Sequence, residues 1–328
     1  PEKAISMLGT MLGGYSVEAL VEILKIGKFG SAAAEALKST ILVYDAFNEI
    51  FDLSKNNEHA KDIIHSWAEA EWFKNKPTLA KEIPLTVYKV SGETNTDDFS
   101  PAKEAWSRPD IPLHAQAFLK FSENMESPLE KLEELKQDGS KLVFVGDVVG
   151  TGSSRKSAAN SMLWHMGEDI PCVPAKRTGG FCFGNKIAPI FYNTLQDSGA
   201  LPIELDVDNL DHGKKIILKP YDGQVLDAET LEVISTFEFK SDVIFDEVQA
   251  GGRINLIIGR QLTDKTREKL DLPPSDVFRR YGDGETSQKG FTLAQKMVGK
   301  ACGMSGVRAG QYCEPRMTTV GSQDTTGP

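Results

Sequence analysis

No stretch of this sequence is apolar for the roughly 18 residues that a membrane-spanning helix requires. The longest candidates, such as Ile41-Leu42-Val43-Tyr44, are short and sit in amphipathic surroundings, so no membrane is expected as a partner. Cysteine is scarce. Cys172, Cys182, Cys302 and Cys313 stand far apart with no C-x-x-C among them, which argues against a metal or cluster site built from these four alone. They are expected to be free thiols in a reduced cytoplasm. Positive charge is in deficit, with 37 Lys and Arg against 47 Asp and Glu, a net charge of −10. A chain this acidic lacks the general basic face that nucleic acid needs, although a local basic cleft for a small anion is compatible with it. The five histidines are scattered, and His65, His114 and His165 are each given a structural role by default. No secretory leader is legible. Pro1-Glu2-Lys3 reads as the first turn of a helix, so residue 1 is not expected to be the natural start.

Against these absences stand 328 residues, 40% of them hydrophobic, enough for two or three domains at roughly 100–200 residues each. Residues 1–76 read as all helix. Apolar residues recur at three- and four-residue spacing through Ile5, Leu8, Met11 and Leu12, then Leu20, Ile23 and Leu24. Gly13-Gly14 breaks the first helix, and Ser16 is placed to cap the second. A third is predicted over Ala32 to Phe51 and a fourth over Ala60 to Phe73, closed by Pro77. Consecutive helices with short breaks suggest a helical array.

The character changes at Pro77. Pro84 to Val90 alternates and reads as a strand. Helical patterns return near Pro112–Phe121 and Leu129–Gln137. Leu142-Val143-Phe144-Val145 is a short buried-type strand that runs through a glycine-rich segment into a helix ending near Met166. Gly179 to Asn193 reads as a turn, a strand and a helix, with Cys182 a buried packing thiol. Further strands are predicted near Leu201–Leu205, Lys215–Leu218 and Val233–Phe239. The class is therefore multi-domain α/β or α+β. Asp276 to Lys289 is linker-like, Gly290 to Cys302 is one more helix, and the rest lacks periodicity.

Chemistry points first to Gly150-Thr151-Gly152-Ser153-Ser154-Arg155-Lys156. A buried strand, a glycine turn and a helix start, in that order, favour an anion through backbone N–H groups and the helix N-terminus. Arg155 adds a planar fork suited to a carboxylate. Phosphate motifs fail: a dinucleotide loop needs Gly where Arg155 stands, and no Gly-Lys-Ser/Thr follows as in a Walker loop. On the local pattern alone, a tight βα turn capped by Ser serves equally well. Thr94 to Pro101, followed by Trp106-Ser107-Arg108-Pro109, is by itself a polar loop with a solvated arginine. Val320 to Pro328 is by itself a polar tail.

Together these segments resemble the aconitase superfamily. Gly150 to Ser157 resembles the Gly-Ser-Ser-Arg segment of its mobile, swivelling domain. Thr94 to Ser100 resembles the loop that opens that domain, with Phe99 where Ile is common. Lys186 to Asn193 with Gly199 to Ile203 is similar to its helix-then-strand block, and Gln323-Asp324-Thr325 to the start of its first cluster-bearing domain. Most members place the swivelling domain last. Here it precedes Gln323, with helices before it, the order of the bacterial aconitase B branch. Trp67 to Phe73 and Cys313 to Gly321 extend the likeness over essentially the whole chain.

The resemblance implies a HEAT-like helical domain, cut at its front, over 1–78, a mixed swivelling substrate-binding domain over 79–288, and a linker with the beginning of the catalytic core over 289–328. It implies a hydro-lyase that isomerises citrate and isocitrate through cis-aconitate. Ser153 matches the catalytic serine. Arg108, Ser154, Arg155, Gln323, Asp324 and Thr325, with Ser153, match positions that bind the tricarboxylate. A 4Fe–4S cluster serves the full-length enzyme, with its ligands outside this chain and no metal site inside it. A chain of this kind is expected to be inactive alone. The family is further linked to a homodimer through the helical domain and to mRNA binding by the cluster-free form, although residues 1–76 carry no basic stripe. A related dehydratase, acting on 2-methylcitrate-derived acids or isopropylmalate, is the alternative within the same chemistry.

Overall fold

The computed structural model describes residues 1–328 except Asp138, Ser154, Arg155, 281–283, 322–328 and the side chain of Leu12. Two compact units emerge: Pro1–Lys240 with Ile244–Val277, and Ser241–Val243 with the segment from Phe278 onward.

The first unit opens with helices α1 (Glu2–Gly9), α2 (Val17–Lys25), α3 (Gly30–Ser39), α4 (Ala46–Leu53), α5 (Glu58–Ala68) and α6 (Glu71–Lys74). The apolar faces of α1 to α5 meet in one core around Leu20, Leu37, Phe47, Ile63 and Trp67. The helix predicted over Ala32–Phe51 is two helices, because Tyr44 takes a left-handed backbone (φ 43°) between them. The one predicted over Ala60–Phe73 likewise breaks at Ala70 (φ 54°). Ser16 stands at the start of α2, yet its side chain makes no capping bond there. Asn57 does cap α5, accepting from the Ala60 amide.

A seven-stranded sheet follows. Its strands are β1 (Ile83–Asn95), β2 (Leu142–Thr151), β5 (Phe181–Ile187), β6 (Leu201–Glu204), β7 (Lys215–Lys219), β8 (Gln224–Asp227) and β9 (Val233–Thr236). A separate hairpin pairs β3 (Glu168–Ile170) with β4 (Val173–Thr178). The order in the large sheet is β6-β5-β2-β1-β7-β8-β9. β6, β5, β2 and β1 run parallel, and β7 turns antiparallel to β1. Alternation divides the side chains between two faces. Tyr88, Val90 and Phe144 join one core, whereas Val87, Val143 and Val145 join the other. Both faces of β2 are covered, which is why Leu142 to Val145 reads as a continuous apolar run.

The connections are α7 (Thr96–Phe99), α8 (Ile111–His114), α9 (Pro128–Lys136), α10 (Lys156–Met166), α11 (Pro189–Asp197), α12 (Val243–Ala250) and α13 (Arg253–Lys269). The helix predicted near Pro112–Phe121 shrinks to α8 and a 3₁₀ turn, ended by the left-handed Leu119. Neither α12 nor α13 is among the helices that the sequence pattern predicts. The second of these returns to the N-terminal helices, with Leu262 in their core and Thr263 accepting the Trp72 indole N–H at 3.0 Å. In the second unit, α14 (Leu293–Ala301) begins at a Thr292–Gln295 capping box.

Two buried groups titrate in opposite senses. His165 on α10 bonds through Nε2 to the Ala115 carbonyl at 2.9 Å. Burial, with Lys136 and Arg177 adding positive charge nearby, lowers its pKa from 6.5 to about 4. The fold holds it neutral, so its contribution is complete above about pH 6.5 and is lost as pH falls toward 4. Glu247, whose carboxylate accepts from Gln196 at 2.8 Å, is raised by burial to about 7. It works the other way: the fold prefers its protonated form, and that contribution is lost as pH rises through about 7. In urea titrations, His165→Phe should gain about 2 kcal/mol relative to the parent between about pH 7.5 and pH 5. A constant difference between the two proteins would show that His165 titrates normally.

Candidate functional site

Three parallel strands end side by side, and the turns that follow them build one cleft. At the end of β1, Asn95 pairs with Thr151 of β2 and then caps α7. Its side chain accepts from the amides of Asp97 and Asp98 at 2.7 and 3.1 Å, while its own amide donates to Asp98 Oδ2 at 2.7 Å. Burial raises the Asp98 pKa. At the end of β2 the chain turns through Gly150 (φ 77°) and Gly152 (φ 87°), backbones that glycine adopts without strain. Gly150 is required for a second reason: a Cβ there would overlap the Phe191 ring. At the end of β5, the Ala188 amide donates to the Val149 carbonyl at 2.8 Å, and Pro189 opens α11.

Between these turns lies a cleft of about 100 Å³, lined by Thr96, Gly150, Gly152, Ser153, Thr194 and residues 188–191. It sits beyond the carboxyl ends of the parallel strands, where α/β sheets place their ligands. Ser153 is exposed on its rim. Thr96 Oγ1 donates to the Ser153 carbonyl at 2.7 Å, tying α7 to the glycine turn.

Arg108 reaches the same neighbourhood through Ser100. Its Nε donates to Ser100 Oγ at 3.2 Å and its Nη2 to the Ser100 carbonyl at 3.3 Å. Ser100 Oγ also lies 2.7 Å from Ser157 Oγ, on the second residue of α10. Arg108 and α10 are thus two hydrogen bonds apart, although 47 residues separate Arg108 from Arg155 in sequence. Of the residues the sequence singled out, Ser153 and Arg108 are brought to this end of the sheet. Ser154, Arg155, Gln323, Asp324 and Thr325 lie outside the described residues. Sequence reasoning missed Thr96, Ser100 and Ser157 as the groups that join the segments. Their signal was present, since Thr96 and Ser100 belong to the polar loop and Ser157 to the Gly-Ser-Ser-Arg segment, but nothing in a linear pattern pairs a hydroxyl with a carbonyl or a second hydroxyl 57 residues away.

Comparison with known proteins matches residues 85–291 to the model described as aconitate hydratase 2 N-terminus, and residues 1–73 to the aconitate B N-terminal domain. The chain belongs to the aconitate hydratase 2 N-terminal family. Aconitate hydratase B of Escherichia coli (strain K12) is 59% identical over 337 residues, covering 100% of this chain. Aconitate hydratase B of Pseudomonas aeruginosa is 56% identical, again across the whole chain, and that of Helicobacter pylori 51% over 99% of it. This chain spans 39% of the length of the Escherichia coli relative, so it corresponds to a part of such a protein. A crystal structure of 3-isopropylmalate dehydratase from Methanocaldococcus jannaschii is similar at 17% identity, with a TM-score of 0.42, over 57% of this chain and 99% of that one. No helix among the described residues is long and apolar enough to cross a membrane.

Proposed function

We propose that this chain is the substrate-binding part of an aconitate hydratase, a hydro-lyase that interconverts citrate and isocitrate through cis-aconitate. The observation that carries the reading is the convergence of the Thr96, Gly150–Ser153 and Ala188–Phe191 turns on one cleft, with Arg108 clipped beside the helix that follows. Residues 1–78 form a HEAT-like domain, 79–288 the swivelling domain, and 289–328 the approach to the catalytic core. A homodimer through the helical domain, a cytoplasmic location and mRNA binding by a cluster-free form belong to the same proposal, and the net charge of −10 gives the last of these no support.

The residues present do not fit a 4Fe–4S cluster. Cys182 is fully buried within the sheet core, Cys172 is exposed elsewhere, and among the described residues no three His, Cys, Asp or Glu side chains group as metal ligands. The chemistry derived for this chain is therefore confined to binding and to the proton. A tricarboxylate carries several negative charges near neutral pH, and a guanidinium presents five donors in a plane. With two of them on Ser100, the plane of Arg108 is fixed before substrate arrives. Ser154, Arg155, Gln323, Asp324 and Thr325 are proposed as further substrate contacts on the sequence resemblance alone. Ser153 removes the proton from the carbon beside a carboxylate. A serine hydroxyl does this only where its alkoxide is stabilised, a role that the glycine turn and the start of α10 can serve. The relatives' names favour citrate over methylcitrate-type or isopropylmalate substrates. The experiment that tests the reading is an assay of the full-length enzyme against all three substrate types.

A further inference from the structure

Behind the cleft lies a row of buried hydroxyls arranged about one histidine. Ser100, Ser107 and His114 are all buried, with His114 only 1% exposed. His114 Nε2 is 2.7 Å from Ser100 Oγ, and its Nδ1 is 2.8 Å from Ser107 Oγ. The direction of every proton in this row follows from one end. Ser107 Oγ donates its single proton to the Glu104 carbonyl at 2.8 Å. It therefore accepts from His114, which places the proton on Nδ1. Burial, and then the charge of Arg108, lowers the His114 pKa, while the Glu104 carbonyl and carboxylate act in the raising sense. A neutral ring protonated at Nδ1 presents a lone pair at Nε2, so Ser100 donates to it. The Ser100 oxygen is then left as an acceptor, for Ser157 of α10 on one side and for Arg108 Nε on the other.

We propose that Ser100, His114 and Ser107 are a positioning relay, in which the tautomer of His114 orients Ser100 to hold both Arg108 and the first turn of α10 for a substrate carboxylate. This rests on the proposed function only for the identity of the carboxylate; the proton order stands on the hydrogen bonds alone. His114 touches no substrate and acts through Ser100. A histidine with a purely packing role would leave this order free, and an apolar residue of similar size would replace it without consequence for binding. Here, replacing the ring by a group that cannot accept lets the Ser100 proton turn toward Arg108 or Ser157. One donor in the row then meets another, and the guanidinium loses its fixed plane.

Two measurements test the relay. The first is nitrogen NMR of the histidine rings in this chain. The relay requires a protonated Nδ1 and an unprotonated Nε2 on His114 at neutral pH; a proton on Nε2 would reverse the order and overturn it. The second is steady-state kinetics of the full-length, cluster-loaded enzyme with citrate. His114→Phe should raise KM about tenfold with a smaller effect on kcat, and His114→Gln, whose amide can both donate and accept, should recover most of that loss. Ser100→Ala leaves the ring in place and should reproduce the KM effect, which keeps the test decisive if His114→Phe fails to fold. Equal losses in the Phe and Gln variants, or an unchanged KM in Ser100→Ala, would contradict the relay. A parent enzyme inactive on citrate would instead remove the proposed function, and the ring tautomer would still decide the proton order.

Discussion

Ser153→Ala in the full-length enzyme should lower kcat about 10²- to 10⁴-fold while KM for citrate and isocitrate changes little. Ser153 stands on the rim of the cleft, three residues ahead of α10, with its carbonyl held by Thr96. Its backbone is thus anchored by a bond that the substitution does not touch. The alanine variant should keep the turn and the cleft, and lose only the hydroxyl proposed to take the proton. Substrate binding, which we propose Arg108 and its neighbours carry, should persist. Cluster content must be checked spectroscopically in each preparation, so that a lost cofactor is not mistaken for a lost base. A Ser153→Ala enzyme with near-normal kcat would show that another group removes the proton.

Trp72→Ala should destabilise the protein by about 4 kcal/mol in chemical denaturation, among the largest costs available to a single substitution here. The Trp72 indole is 4% exposed and lies against Gly259 of α13, so closely that a Cβ on that glycine would overlap it. Removing the ring opens a cavity between the N-terminal helices and α13, and leaves the fully buried Thr263 hydroxyl without its donor. Trp72→Phe should cost less, since the ring volume is partly kept and only the N–H is lost. Equal costs for the two variants would place the energy in the hydrogen bond rather than in packing.

The same contact shows where the sequence was mute. The helix α13 buries Leu256, Gly259, Arg260, Leu262, Thr263 and Thr266. Half of that face is glycine and threonine, so it carries no apolar stripe for a periodicity argument to find. It is nonetheless the element that meets Trp72, whose neighbours Trp67 to Phe73 were legible as distinctive. The breaks at Tyr44 and Ala70 were invisible for a related reason: left-handed backbone at a non-glycine residue has no composition signal. By contrast, β2 and its glycine turn were legible because an apolar run covered on both faces ends where Gly150 must accommodate Phe191. The placement of Ser153 at a strand end followed from that local order. Arg108 did not, because its approach to α10 is made by Ser100, a pairing that only the fold creates.

The central claim is that this chain prepares a tricarboxylate for dehydration in an aconitate hydratase. The most direct test supplies the full-length, cluster-reconstituted enzyme separately with citrate, isocitrate, a 2-methylcitrate-derived acid and isopropylmalate, and follows product formation for each. The account predicts that citrate and isocitrate are interconverted with cis-aconitate released as an intermediate, and that both exceed the other acids in kcat/KM. Turnover of isopropylmalate or the methylcitrate-derived acid in preference to citrate would contradict it.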